Sequence, residues 1–86
     1  MISGDDIRAK IRDAYPDAIV QLEDLTGGQD HWSAVVVTSA FEGKKSVERH
    51  RMVHAPLRDD LVERLHALTI KTYTPAQARD LGLLEN

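Results

Sequence analysis

Thr38-Ser39-Ala40-Phe41-Glu42-Gly43-Lys44-Lys45-Ser46-Val47-Glu48-Arg49-His50-Arg51-Met52-Val53, followed further on by Leu65-His66-Ala67-Leu68, governs the architecture of this chain. Glu42-Gly43 turns the backbone, and Ser46 stands where a helix N-cap is expected, its hydroxyl able to accept an otherwise orphaned N–H. Val47, His50, Val53 and His54 recur at helical spacing and read as one face of a helix. Pro56 interrupts that pattern. Proline is tolerated in a first turn and not in a helix interior, so the spacing predicts two short helices rather than one long one. The second carries Leu57, Leu61 and Leu65 four residues apart, with Asp59 and Asp60 near its positive end. Leu68-Thr69-Ile70-Lys71-Thr72-Tyr73 then alternates as a strand.

The flanking segments complete the pattern. Ser3 with Asp6 resembles a capping box, and Ile7, Ile11 and Ala14 follow at helical spacing, while Pro16 biases Tyr15 out of the helical region and ends the helix. Ala18-Ile19-Val20-Gln21-Leu22-Glu23 alternates with Ala18, Val20 and Leu22 on one face. Thr26-Gly27-Gly28-Gln29-Asp30 is loop chemistry, and Trp32-Ser33-Ala34-Val35-Val36-Val37-Thr38 is β-rich, so the two strands read as an antiparallel hairpin. Thr74-Pro75-Ala76-Gln77 combines a cap, a proline at the first position and a glutamine to close the box, and Gly82 ends that last helix. The order is helix, strand, strand, helix, helix, strand, helix. Residues 1–86 therefore read as one two-layer α+β domain, with helices on one face of a three-stranded mixed sheet.

Composition narrows the function. The chain contains no cysteine, which excludes disulfides, thiolate nucleophiles, zinc ribbons and iron–sulfur sites held by this chain alone. Any metal must be held by imidazole or carboxylate, with sulfur supplied from elsewhere. A net charge of −3, from 11 basic and 14 acidic residues, argues against indiscriminate nucleic-acid binding. Met1-Ile2-Ser3-Gly4-Asp5-Asp6 is not a signal peptide and no apolar run is of membrane-spanning length, so the expected location is the cytoplasm, away from membranes. No nucleophile is paired with an oriented base and no glycine loop suits a phosphate, so the chain does not read as an enzyme.

Several blocks together carry a family resemblance: Glu23-Asp24-Leu25-Thr26-Gly27-Gly28 with Asp30-His31-Trp32, then Phe41-Glu42-Gly43-Lys44-Lys45-Ser46, Arg49-His50-Arg51 with Val53, and His66-Ala67-Leu68 with Ile70-Lys71-Thr72-Tyr73-Thr74-Pro75. In these the chain resembles the BolA family, particularly its IbaG (YrbA) branch, over nearly its whole length. The resemblance implies a fold similar to a class II KH domain. It also implies partnership with a monothiol glutaredoxin around a bridging 2Fe–2S cluster, in cluster trafficking or iron sensing. In such a pair the glutaredoxin supplies a cysteine and bound glutathione a second thiolate. The BolA-like partner, a monomer when free and holding no cluster alone, supplies a histidine just before the third strand, here His66, and a second ligand from the hairpin loop, here His31. Imidazole can replace thiolate on one iron, as in Rieske centres, and ligation by imidazole weakens in acid.

Without the resemblance, His66 reads as a helix-capping histidine and His31 as an exposed loop residue. His50 and His54 share a helical face, yet Arg51 stands where a zinc protease has glutamate, which excludes that chemistry. The cluster Lys44, Lys45, Arg49 and Arg51 permits DNA binding or a docking surface for an acidic partner. With the KH-like order and the transcriptional control associated with the family, the resemblance implies as an alternative a DNA-binding transcriptional regulator acting in the stress response. No Gly-x-x-Gly loop joins the paired helices, where a KH domain clamps a nucleic-acid backbone.

Overall fold

The computed structural model describes residues 2–29, 31–63 and 67–83. Ser3 opens helix α1 (Gly4–Ala14) by accepting the Asp6 N–H at 3.1 Å, and the helix stops at Tyr15, directly before Pro16. Its Ile7 and Ile11 are buried. Strands β1 (Ile19–Asp24) and β2 (His31–Val37) pair antiparallel, with Val20 opposite Val36 and Asp24 opposite Trp32. Strand β3 (Ala67–Tyr73) lies parallel to β2 on its other side, giving the sheet order β1-β2-β3. The connection from β2 to β3 runs through α2 (Ser46–His54), a 3₁₀ turn at Ala55–Leu57 and α3 (Arg58–Glu63). Helix α4 (Pro75–Asp80) follows β3. The fold is the α+β arrangement expected, in the expected order.

Side chains alternate across the sheet, as strand geometry requires. Val20, Trp32, Ala34, Val36 and Ile70 turn inward against Ile7, Ile11, Phe41, Val53 and Leu57, while His31, Ser33 and Val35 on β2 are only half-buried. Trp32 is a core anchor: its ring lies close to the start of α1, where a Cβ added at Gly4 would sit 3.2 Å from the indole. The Tyr15 hydroxyl donates to the Met52 carbonyl at 2.9 Å, joining the end of α1 to α2, and burial raises its pKa.

Helix α2 departs from the expected reading in two ways. Its N-cap is Lys45, not Ser46, because Glu48 at the third helical position accepts the Lys45 N–H at 3.2 Å and sets the helix start one residue earlier. Its buried face is also narrower than the spacing suggests. Met52 and Val53 join the core in the last turn, whereas Val47 is 62% exposed and His54 faces solvent. The helix meets the core only at its C-terminal end. Proline 56 does break the segment, and Leu57 is fully buried in the intervening 3₁₀ turn. Leu61 and Leu65, expected to continue that apolar row, fall outside the described side chains. Asp60, read as helix-start chemistry, is 4% exposed and pairs with Lys10 of α1.

At α4 the cap expected from the residues is complete. Thr74 Oγ1 accepts the Gln77 N–H at 3.2 Å and Gln77 Oε1 accepts the Thr74 N–H at 2.9 Å. The helix closes through Gly82 N–H to Arg79 and Leu83 N–H to Ala78, the two bonds of a Schellman motif.

Where β1 begins and β2 ends, Asp17 ties the two strands together. Its carboxylate accepts from the Ser39 hydroxyl at 2.6 Å, from the Thr38 hydroxyl, and from the Ser39 N–H at 3.0 Å. The Ser39 hydroxyl, then the Thr38 hydroxyl and the Ser39 N–H, hold its pKa down to about 2. Because the folded chain favours ionised Asp17, protons bind preferentially to the unfolded chain. The resulting stability is whole above about pH 4, the usual aspartate value, and is lost as pH falls towards 2. Urea unfolding followed between pH 5 and pH 2 should show that loss, and Asp17→Asn should flatten it.

Candidate functional site

The loop from β1 into β2 is built around one carboxylate. Asp24 Oδ1 accepts the N–H groups of Thr26 and Gly27 at 3.3 and 2.9 Å, and Oδ2 accepts that of Gln29 at 3.1 Å. Thr26 Oγ1 accepts the Gly28 N–H at 3.2 Å. Gly27 takes a φ of +79°, which its missing Cβ allows, but Gln29 also lies at +60°, a conformation costing roughly 1 kcal/mol or more for a side chain of that kind. Both sides of Gln29 are held: its N–H by Asp24, and its carbonyl by the Ile2 N–H at 2.9 Å. The Trp32 Nε1–H donates to the Ile2 carbonyl at 3.2 Å. A hydrogen-bonded circuit therefore runs from Asp24 through Gln29 and Ile2 to Trp32, and Trp32 is the register partner of Asp24.

His31 stands beside this circuit as the first residue of β2, not in the loop as the residues alone suggested. The Leu25 N–H donates to its carbonyl at 2.9 Å and extends the hairpin ladder by one pair. The residue is half-buried, with Nδ1 turned away from solvent. Its register partner across the parallel pair is Ala67, the residue that follows His66 in the chain. His66 itself lies outside the described residues. Among the described residues no three histidine, aspartate or glutamate side chains gather into a metal site. With no cysteine in the chain, the donor set fits part of a shared iron–sulfur ligand set and not a complete one.

The four cations proposed as a docking surface divide in two. Arg49 is drawn into the fold: Nε donates to the Lys44 carbonyl at 3.0 Å, a terminal nitrogen donates to Gln77 Oε1 at 2.9 Å, and the guanidinium lies 5.7 Å from the centre of the Phe41 ring. It thereby staples the start of α2 to the cap of α4, beside a cleft lined by Thr72, Tyr73, Asp80 and Leu81. Lys44, Lys45 and Arg51 are exposed. His50 is half-buried and His54 exposed on the same helix.

Asp24 as a loop organiser goes beyond the residues expected to act, although an aspartate followed two positions on by Thr-Gly-Gly is the signal of an Asx-type turn. The role of Arg49 has no such signal, because its partner Gln77 is distant in the chain and carries no local mark.

A helix–hairpin–crossover–helix unit of this order defines a class of small α+β domain, and comparison with known proteins gives it a family. Residues 8–77 match the family model described as BolA-like protein, and the chain belongs to the BolA family. It is 37% identical over 86 residues to human BolA-like protein 1, covering 92% of this chain and 63% of the relative. It is 31% identical over 75 residues to the Escherichia coli protein named DNA-binding transcriptional regulator BolA, covering 79% of this chain and 71% of that one. Among solved structures, BolA1 from Arabidopsis thaliana superposes with a TM-score of 0.79 at 30% identity, covering 88% of this chain and 98% of that one. The chain spans 57 to 63% of the length of the mammalian relatives it matches. Among the described residues no helix is long and apolar enough to cross a membrane.

The division among the cations is measurable. Arg49→Met should cost about 1 kcal/mol, from the lost charged hydrogen bonds and ring contact. Lys44→Gln, Lys45→Gln and Arg51→Gln should each stay within about 0.5 kcal/mol in urea unfolding.

Proposed function

We propose that this chain is a cytoplasmic adaptor that pairs with a monothiol glutaredoxin and completes the ligand set of a bridging 2Fe–2S cluster through His66 and His31. The observation that carries this reading is the parallel register that sets His31 beside Ala67, next in the chain to His66. Family membership supports it, and so does the absence of cysteine, since a chain with imidazoles and no thiolates takes part in such chemistry only by dividing the ligands with a partner. When bound, the cluster supplies a transferable, redox-active iron–sulfur unit. The imidazoles of this chain contribute neutral nitrogen in place of anionic sulfur, which lowers the negative charge around the iron and raises its potential.

The test is a visible circular dichroism titration of the chain into cluster-loaded monothiol glutaredoxin with glutathione, under anaerobic conditions. A new saturable spectrum at equimolar ratio supports the reading. His66→Ala should abolish that spectrum while leaving a weaker apo complex, and His31→Ala should change it and speed cluster loss roughly 10-fold, since losing a ligand weakens a site at least as much as losing its outer partner. An unchanged spectrum with no complex by size exclusion contradicts it.

A second reading, DNA binding with a transcriptional role, is favoured by the name of the Escherichia coli relative and by the exposed Lys44, Lys45 and Arg51 around the start of α2. The 3₁₀ turn Ala55–Leu57 between α2 and α3 has no glycine to let a nucleic-acid backbone approach. If DNA binds through these cations, each charge-removing substitution among the three should lower the slope of log K against log salt by about 1, as expected for one lost phosphate contact. Affinity that does not depend on salt, or on these residues, rules this surface out.

A further inference from the structure

We infer that Asp24 is the positioning residue for His31, fixing residues 25–29 in one geometry so that the start of β2, and with it the imidazole, is held in a single placement for a shared cluster. The inference rests on the ligand role proposed above for His31.

Three backbone N–H groups converge on the Asp24 carboxylate, at 3.3, 2.9 and 3.1 Å. An isolated loop with two glycines would sample many conformations. Here the turn closes on a single side chain, and Gln29 is held at a φ of +60°. A strained, non-glycine conformation persists only where its surroundings over-determine it, and such positions gather at functional sites. The clamp connects directly to the histidine. Asp24 pairs with Trp32, and the Leu25 N–H next to Asp24 donates to the His31 carbonyl. The loop therefore begins and ends within one residue of His31 and its neighbour. A ligand on a strand end supported in this way keeps the sub-ångström placement that metal sites need.

The geometry also separates the carboxylate's shape from its charge. In Asp24→Asn the remaining oxygen keeps the contacts to Thr26 and Gly27, while the amide nitrogen cannot accept from Gln29. Asp24→Glu keeps the charge on a longer arm, and Asp24→Ala keeps neither. Positioning predicts the order Asp, then Asn, then Glu and Ala together. A purely electrostatic effect would rank Glu with Asp.

The experiment has two readouts besides cluster content. Relaxation dispersion on the free chain reports the amides of Thr26, Gly27 and Gln29, and calorimetry reports docking to glutaredoxin without cluster. For Asp24→Ala we expect millisecond exchange at those amides, docking within about twofold of the parent, a changed visible dichroism spectrum and cluster loss about 10-fold faster, as for the outer partners of metal ligands. Asp24→Asn, which retains two of the three bonds, should lie between and guards against a folding defect in the alanine variant. If the loop amides move but spectrum and cluster lifetime do not, while His31→Ala changes both, the positioning role is overturned and the ligand role stands. The positioning role is equally overturned if Asp24→Glu matches the parent. If His31→Ala is itself silent, both fall.

Discussion

Parallel pairing of β2 with β3 is the constraint from which the remaining architecture follows. Parallel neighbours cannot be joined by a tight turn and need a crossover of a dozen or more residues, usually helical. The chain meets this with α2, the 3₁₀ turn at Ala55–Leu57 and α3, and α1, the end of α2 and the 3₁₀ turn cover one sheet face to make the core. Parallel pairing also places the starts of the two strands side by side. His31 at the start of β2 therefore meets Ala67 at the start of β3. The same pairing that builds the core thus sets the strand end that carries His31 beside Ala67, the residue that follows His66 in the chain.

A chain of 86 residues buries only about 60–65% of the surface its unfolded form exposes, which leaves little interior for a private active site. The arrangement suits a function completed by a partner. The core is assembled from Trp32, Phe41, Ile7, Ile11, Val36, Val53 and Leu57, and the other sheet face, with His31, Ser33 and Val35, stays partly open. Precision at the candidate site comes from the hydrogen-bonded loop instead of deep burial. Asp24 and the Ile2–Trp32 link do at the rim of the sheet what packing does in its interior.

Legibility in the sequence followed the range of each interaction. The α4 cap was readable because Thr74, Pro75 and Gln77 act on one another within four residues, and the helix break was readable because Pro56 acts on its own backbone. The hairpin and its inward face were readable from period-2 alternation at Ala18, Val20 and Leu22. Long-range effects were not. That α2 meets the core only at Met52 and Val53, leaving Val47 outside, depends on where the helix crosses the sheet. Burial of Asp60 depends on Lys10, and withdrawal of Arg49 from the basic patch depends on Gln77 and Phe41. For the candidate site, residue types alone marked four histidines without ranking them. The family pattern singled out His31 and His66, and the register then set His31 beside Ala67. The Asp24 clamp was partly readable from its Thr-Gly-Gly sequel, but its link through Ile2 to Trp32 needed the fold.

The most direct test of shared ligation is pulsed electron paramagnetic resonance on the reduced complex with monothiol glutaredoxin, with only this chain carrying ¹⁵N-histidine. The account predicts strong hyperfine coupling from ¹⁵N nuclei of two imidazoles, falling to one when His31 is replaced by alanine. A spectrum indifferent to the label would mean that no histidine of this chain touches the iron, and the central claim would be wrong.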